Sequence, residues 1–129
     1  MIRGIVLAFA GLAASAATAV GLGPLKHEGV TMSDRKGFYL TLTNPYPTRE
    51  RFRLYSVGFD DETPVTRVRI PLAVADLGPK SQRRMLVIDT ALAPGETHQF
   101  RVCAERVEPQ GKALIHARVC SKLSARRLA

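Results

Sequence analysis

The two cysteines are the residues whose possible chemistry the sequence limits most. Cys103 and Cys120 lie in the segment FRVCAERVEPQGKALIHARVC and are the only cysteines in the 129-residue chain. In an oxidising compartment, two thiols in one small domain usually become a disulfide, whereas in the cytosol the same pair indicates a metal site or redox chemistry first. The compartment therefore decides what these cysteines do.

The first 19 residues indicate export. The segment begins with Arg3, continues through an apolar run at residues 5–12 and ends in small residues, of which residues 17–19 fit an A-x-A cleavage signal. We interpret residues 1–19 as a signal peptide cleaved after Ala19, which predicts a periplasmic protein. An uncleaved anchor is the alternative, because no charge occurs between Arg3 and Lys26. Export favours the disulfide.

The rest of the chain is predicted to form strands. Apolar and polar residues alternate through residues 20–129, and no stretch sustains the spacing of an amphipathic helix. Strands are predicted at residues 38–43, 51–56, 65–70 and 83–88, with two more in the cysteine segment and a first one at residues 30–32. About seven short strands separated by turn residues, in roughly 100 residues, are typical of an Ig-like β-sandwich. We therefore predict one all-β domain of antiparallel strands at residues 20–129.

The cysteine segment is predicted to be a β-hairpin that turns around residues 110–113. In this register Cys103 faces Cys120, and the flanking pairs are Phe100 with Leu123, Ala104 with Val119 and Glu105 with Arg118. These pairs match apolar with apolar and acid with base, although Glu108 faces Ile115 nearer the turn. Both cysteines fall on the polar face, where facing Cα atoms about 4.5 Å apart are within reach of a disulfide. Its predicted role is to hold the last strand against its neighbour.

Three segments in a fixed order carry a resemblance to a known family. LTLTNPYPTRERFRL, IPLAVADLGPKSQRRMLVI and LAPGETHQFRVCAERVEP, followed by a final alternating strand, resemble the N-terminal Ig-like domain of periplasmic pilus-assembly chaperones of the PapD type. The resemblance extends from Gly23 to Leu123. It implies a chaperone whose last strand completes the sheet of an exported subunit, so that backbone hydrogen bonds provide affinity and side-chain pockets provide specificity.

The resemblance also implies a set of site residues. Lys26 in GPLKHEG and Lys122 in VCSKL correspond to the basic residues that hold the C-terminal carboxylate of a pilus subunit. The corresponding donor positions on the last strand are Ala113, Ile115 and Ala117. Some chaperones of this class carry a disulfide between the last two strands, which matches the two cysteines.

The sequence departs from the family pattern at three points. Lys26 stands where the family usually has Arg, so the planar, bidentate recognition of a carboxylate is lost. Two of the three donor positions are alanine, which is too small to fill deep pockets. The family has a second Ig-like domain after the last strand, whereas this sequence ends at Ala129, and we therefore expect an anchor cleft with one wall.

Other chemistry has less support in the sequence. His116 and Cys120 share a face of the last strand, so with Cys103 they could form a copper or zinc site, but a disulfide and a surface histidine are the favoured interpretation. No G-x-S-x-G motif occurs, and the acidic turn at residues 60–62 is interpreted as a solvated, capping turn. We predict no enzymatic activity, no metal or other cofactor and no small-molecule substrate.

The net charge leaves two interpretations open, anionic partners at the cell envelope or a basic surface without a dedicated partner. The chain has 19 Lys and Arg against 11 Asp and Glu, for a formal charge of +8, with 6% aromatic residues. Export and the scarcity of aromatic residues for base stacking argue against nucleic-acid binding. The predicted partner is an exported protein subunit or another envelope polypeptide, with an anionic surface contact as a further candidate. The alternative function is a structural or accessory Ig-like module of the cell envelope without chaperone activity.

Overall fold

A computed structural model describes residues 20–107 and 117–129, and all of the regular structure in these ranges is β. Its nine strands are β1 Gly21–Gly23, β2 Lys26–Thr31, β3 Lys36–Thr43, β4 Glu50–Gly58, β5 Val68–Arg69, β6 Val74–Leu77, β7 Gln82–Asp89, β8 Thr97–Arg106 and β9 Arg118–Arg127. Within the described ranges, no helix is long and apolar enough to cross a membrane. The predicted signal peptide at residues 1–19 lies outside the described residues.

The strands form two sheets that pack as an Ig-like sandwich, which confirms the predicted fold class. Sheet A has the order β1-β3-β7-β5 and sheet B the order β2-β9-β8-β4-β6. The described strands number nine rather than about seven. The alternation of apolar and polar residues cannot reveal a strand as short as β1 or β5. Of the strand predicted at residues 65–70, only the two residues of β5 are present. Pro64 and Pro71 flank residues 65–70 and limit the hydrogen bonding of that segment in a sheet. The sequence did not predict β6, which follows Pro71.

The core lies between the two sheets and follows the predicted alternation. On β3, Phe38, Leu40 and Leu42 are buried while the residues between them are exposed. The inward residues of β4 and β8 are Phe52, Leu54, Phe100, Val102 and Ala104, and all belong to the same core cluster. The rings of Phe38 and Phe100 meet edge to face at 6.2 Å between centroids, which joins the two sheets at the centre of the sandwich.

Asn44 is one of the buried polar residues, and its contacts explain its burial. The Asn44 side chain donates to the carbonyl groups of Thr48, Leu77 and Gly78 and accepts from the backbone N–H of Tyr46 at 2.9 Å. Asn44 therefore links the turn after β3 to the turn before β7. The sequence predicted Asn44 only as a turn residue.

The buried Asp89 carboxylate lies 2.7 Å from Nδ1 of His98 and so links β7 of sheet A to β8 of sheet B. Burial raises the pKa of Asp89, and the hydrogen bond from His98 opposes that shift.

The chain crosses from one sheet to the other between β1 and β2. β1 pairs with β3 at the edge of sheet A, and after the cis peptide bond between Gly23 and Pro24 the chain joins sheet B as β2. β2 pairs with β9 in parallel, from Lys26 beside Lys122 to Thr31 beside Arg127. The predicted all-antiparallel arrangement is wrong at this pair, because the crossing carries the chain to the far edge of sheet B without a hairpin.

The predicted hairpin register between the last two strands is confirmed. Cys103 pairs with Cys120 between β8 and β9, and the flanking pairs are Phe100 with Leu123, Ala104 with Val119 and Glu105 with Arg118. The two cysteines form a disulfide with a Cα–Cα distance of 4.0 Å. The predicted pair of Glu108 with Ile115 lies outside the described residues.

The side chain of Cys103 is more buried than its predicted polar face suggests. It is 0% exposed although it does not belong to the core between the sheets. The reason is that β8 lies between β4 and β9, so Tyr55 on one side and Cys120 on the other flank Cys103 on the outer face. A central strand can therefore bury an outward residue that its own sequence pattern marks as exposed.

The disulfide should contribute measurably to stability. Replacing both cysteines, Cys103→Ala with Cys120→Ala, should lower the free energy of unfolding by about 3 kcal/mol, because the unfolded chain regains the entropy of a short closed loop. Urea denaturation of the oxidised parent, the reduced parent and the double variant measures this difference. Equal denaturation midpoints for all three proteins would contradict the assigned role.

Candidate functional site

The edge of β9 that faces away from β8 pairs with another strand along only part of its length. On one side β9 pairs with β8 from Arg118 to Arg126, whereas β2 covers the other side only from Lys122 onward. Residues 118–120 therefore have no strand on that side in the part of the chain that the structure describes. We call residues 118–120 the open edge.

The hydrogen bonds that flank the open edge show which backbone groups it presents. The N–H groups of Lys122 and Leu128 donate to the carbonyls of Leu25 and Thr31, on the β2 side, at 2.8 and 2.9 Å. The N–H of Arg127 instead donates to Glu96, on the β8 side. Even-numbered residues of β9 thus face away from β8, since the hydrogen-bonding direction alternates along a strand. The N–H and C=O groups of residues 118 and 120 accordingly point to the open edge.

Lys26 and Lys122 lie side by side where the open edge ends. They are register partners on β2 and β9, and their exposed side chains leave the outer face of sheet B. A cavity of about 90 Å³ opens beside them, and its walls are Lys26, His27, Glu28, Phe59, Gln99, Lys122, Leu123 and Ser124. The fold therefore brings together two lysines that are far apart in sequence.

The two lysines lack the acidic partners that neighbouring arginines have. On the same face, Arg51 pairs with Asp76, Arg53 with Glu105, and Arg101 and Arg118 both pair with Glu62. Among the described residues, no carboxylate lies within ion-pair distance of Lys26 or Lys122. Two adjacent ammonium groups without a counter-ion favour the binding of an anion.

The loop between β4 and β5 borders the cavity. Arg101 donates to the carbonyls of Gly58 and Asp61 at 2.8 and 2.7 Å, and so holds the start of this loop against β8. A Cβ at Gly58 would collide with the Asp61 carboxylate, so a larger residue there would displace that side chain. The loop thereby places Phe59, whose ring centroid lies 5.2 Å from the Lys122 ammonium.

Glu62 fastens the same loop to β9. Its carboxylate accepts hydrogen bonds from Arg118 at 2.6 and 2.8 Å and from Arg101 at 3.1 Å. These bonds, led by those from Arg118, lower the pKa of Glu62 to about 2. The interpretation of residues 60–62 as a solvated turn is therefore incomplete, since Glu62 is an ion-pair partner, whereas Asp61 caps the turn by accepting from the N–H of Thr63.

Of the three predicted donor positions, the structure describes Ala117. Ala117 is exposed and directly precedes β9. Ala113 and Ile115 lie outside the described residues. His116, from the metal alternative, is also outside them, and the two cysteines of that alternative are bonded to each other. Within residues 20–107 and 117–129, no group of three or more His, Cys, Asp and Glu side chains could hold a metal ion.

Sequence reasoning missed Phe59, Glu62 and Arg101 as neighbours of the site. The spacing of these residues along the chain does not predict that they are neighbours, because the loop contacts β8 and β9 only in the folded sandwich. One sequence feature could have drawn attention to Phe59: it is an aromatic residue that continues past the end of the alternating β4 pattern.

Comparison with known proteins shows the fold class. No protein-family model matches the sequence, and no curated protein sequence matches it. The Escherichia coli chaperone DraB is similar in structure with a TM-score of 0.68 at 17% identity, over 85% of this chain and 55% of DraB. The Salmonella enterica chaperone SafB, in complex with the SafA pilin, has a TM-score of 0.69 at 17% identity, over 84% of this chain and 54% of SafB.

A third structure with this fold is a domain of a human protein. A PapD-like domain of human CEP192 has a TM-score of 0.64 at 16% identity and covers 86% of both chains. The chain therefore has the PapD-like Ig fold that its sequence resembles, and it spans about half the length of DraB and SafB. At these identities the similarity concerns the fold.

The lowered pKa of Glu62 leads to a pH prediction. Because the folded pKa of about 2 lies below the usual value of 4.5, the attachment of the loop stabilises the protein above about pH 4.5 and is lost as the pH falls to about 2. The carboxyl carbon of Glu62, followed by NMR, should titrate with a midpoint near 2. Arg118→Ala should move that midpoint upward by more than Arg101→Ala does. A midpoint above 4 in the parent would contradict the ion-pair geometry.

Proposed function

We propose that this protein is an exported, chaperone-like assembly factor that binds an envelope polypeptide in the periplasm by strand addition at the open edge. Lys26 and Lys122 hold the C-terminal carboxylate of the bound polypeptide. The proposal rests on the position of Lys26 and Lys122 beside the open edge. Among the described residues, the two lysines have no acidic partner and residues 118–120 pair with β8 but with no strand on the other side. Backbone groups provide the ladder, and the lysines determine where it ends.

The charge of the lysine pair selects the direction of the added strand. A strand on the open edge that runs parallel to β9 meets the start of β2 and brings its C-terminus to Lys26 and Lys122. A strand in the opposite direction brings an N-terminal ammonium group there, which the two lysines repel. The proposed complex is therefore parallel, with the carboxylate in the cavity beside the lysines.

The size of the cavity fits a terminal group rather than a small-molecule substrate. Its volume of about 90 Å³ is well below the roughly 300–1,000 Å³ of ordinary ligand pockets. The proposed activity of this cavity is the binding of a polypeptide carboxylate, without catalysis. The SafB chaperone, which has the same fold, is in complex with a pilin, and this supports a protein subunit as the partner class.

The proposed donor residues limit the partner further. In this proposal Ala117 projects into the partner, and Ala113 and Ile115, which lie outside the described residues, are the other two donor residues. Ala117 has the same parity as Val119 and Leu123, which face the interior of the sandwich. Two alanines can fill only shallow pockets, so the proposed partner depends more on backbone pairing and on the carboxylate than on deep side-chain insertion.

The proposal includes the organisation of the chain. Residues 1–19 act as a signal peptide, and residues 20–129 form an Ig-like domain that reaches the periplasm.

Lysine substitutions test the anchor. The parent protein captures polypeptides from a periplasmic extract, and the C-terminal peptide of a captured polypeptide is then titrated as the free acid and as the amide. The parent should bind the acid at least about tenfold more tightly, because hydrogen bonds to charged groups are worth roughly 1.5–3 kcal/mol. Lys26→Ala and Lys122→Ala should reduce this preference.

Arg84→Ala is the matched control, because it removes a positive charge from sheet A, where Arg84 lies over the ring of Tyr39. An equal loss in Arg84→Ala, or equal binding of acid and amide by the parent, would contradict the anchor.

A proline substitution tests the open edge. Arg118→Pro removes the N–H that points to the open edge and should weaken partner binding by about tenfold or more, because a partner strand loses a ladder hydrogen bond. Arg118→Ala keeps that N–H and removes the same contacts to Glu62 and Tyr55, so it serves as the control for stability. Equal affinities of the two variants would show that the partner does not pair with this edge.

An accessory Ig-like module of the cell envelope is the second candidate. The observation that favours it is the similarity to the CEP192 domain over 86% of both chains, since the same fold occurs there as one PapD-like domain outside the pilus chaperones. This candidate predicts a protein that captures no extended polypeptide and in which the lysine variants behave like the parent.

A further inference from the structure

Phe59 stands out because it is an aromatic side chain without a place in the core. It follows directly after β4 and is half-buried, but it does not belong to the hydrophobic cluster between the sheets. Its ring instead forms one wall of the cavity beside the lysine pair. Packing between the sheets therefore does not account for this residue.

The ring of Phe59 lies where it can hold the Lys122 ammonium. The Nζ atom is 5.2 Å from the ring centroid, within the range of a cation–π interaction. Lys26 is the register partner of Lys122, so the two ammonium groups repel each other. A flexible lysine chain would otherwise turn away from its neighbour, and the ring offers an attraction that keeps it at the cavity.

Two arginines fix the loop that carries Phe59. Arg101 donates hydrogen bonds to the backbone on both sides of Phe59, at the carbonyls of Gly58 and Asp61. Glu62 is bonded to Arg101 and to Arg118, the first residue of the open edge. We call this set of bonds the loop latch. It connects the residue that borders the ammonium group to the strand edge that would receive a partner.

We propose that Phe59 is a positioning residue of the carboxylate anchor, and that the loop latch holds its ring against the Lys122 ammonium so that the ammonium points into the cavity. The inference rests on the proposed anchor function and adds the means by which one lysine of the anchor is kept in place. Lys26, His27 and Glu28 face the same cavity, and Gln99 completes its wall, so the position of Lys122 affects which anion the cavity accepts.

The position of the ammonium can be measured without any partner. Protons of the Lys122 ε-methylene group lie near the face of the Phe59 ring and should show an upfield ring-current shift in the NMR spectrum of the full chain. Phe59→Leu, which keeps an apolar side chain of similar size, should abolish that shift. Phe59→Tyr should retain it, and Glu62→Gln should reduce it because the latch loses its charge.

Acetate then probes the anchor itself. Titration with sodium acetate at constant ionic strength should move the signals of Lys26 and Lys122 in the parent, whereas acetamide, which is neutral and of the same shape, should not. Phe59→Leu should bind acetate about two- to fivefold more weakly, as expected for the loss of an exposed cation–π contact. Phe59→Tyr should restore the affinity of the parent.

The two readouts separate the two proposals. A Lys122 shift that is absent in the parent, or unchanged in Phe59→Leu, would overturn the positioning role whatever the acetate result. If the shift is present and depends on Phe59 but acetate moves neither lysine in the parent, the anchor itself is wrong, and the role of Phe59 in it is overturned with it. Equal acetate affinities of the parent and Phe59→Leu would also overturn the inference.

Discussion

The pairing of β9 with β8 is the interaction on which the rest of the structure depends. Its register places Cys103 against Cys120 and sends Leu123 into the core and Lys122 to the outer face. A slip of one residue would exchange those faces, burying an ammonium group and exposing a leucine, and the disulfide excludes such a slip. With this register fixed, the even-numbered backbone groups of β9 turn away from β8, which makes an open edge available.

The crossing of the chain between β1 and β2 divides that edge into a covered part and an open part. Because the first strand stays in sheet A as far as Gly23, sheet B gains an edge strand only from Lys26 onward. The position of the crossing therefore sets both the end of the open edge and the place of Lys26. One feature of the backbone thus determines where β2 stops covering β9 within the described residues, and it places Lys26 at that point.

The basic residues on the outer face of sheet B fall into two groups. Acidic side chains neutralise arginines across most of the outer face, and Glu62 serves two of them at once. Such exposed ion pairs add little stability, but they hold the loop after β4 in a defined place. Lys122 contacts the ring of Phe59 in place of a carboxylate. The face combines ion-paired arginines with two lysines that form no ion pair among the described residues.

The sequence by itself determined the sandwich, the hairpin register and the disulfide, because alternation with a period of two and the pairing of Glu105 with Arg118 are local or nearly local properties of the chain. It also determined the resemblance to PapD-like domains, which the structure confirms as a similarity of fold. Only the tertiary structure decided that Cys103 is buried, that β2 runs parallel to β9, and that Phe59 reaches Lys122. These features depend on contacts between residues that are distant along the chain, and periodicity within a strand contains no information about which strand or loop will lie beside it.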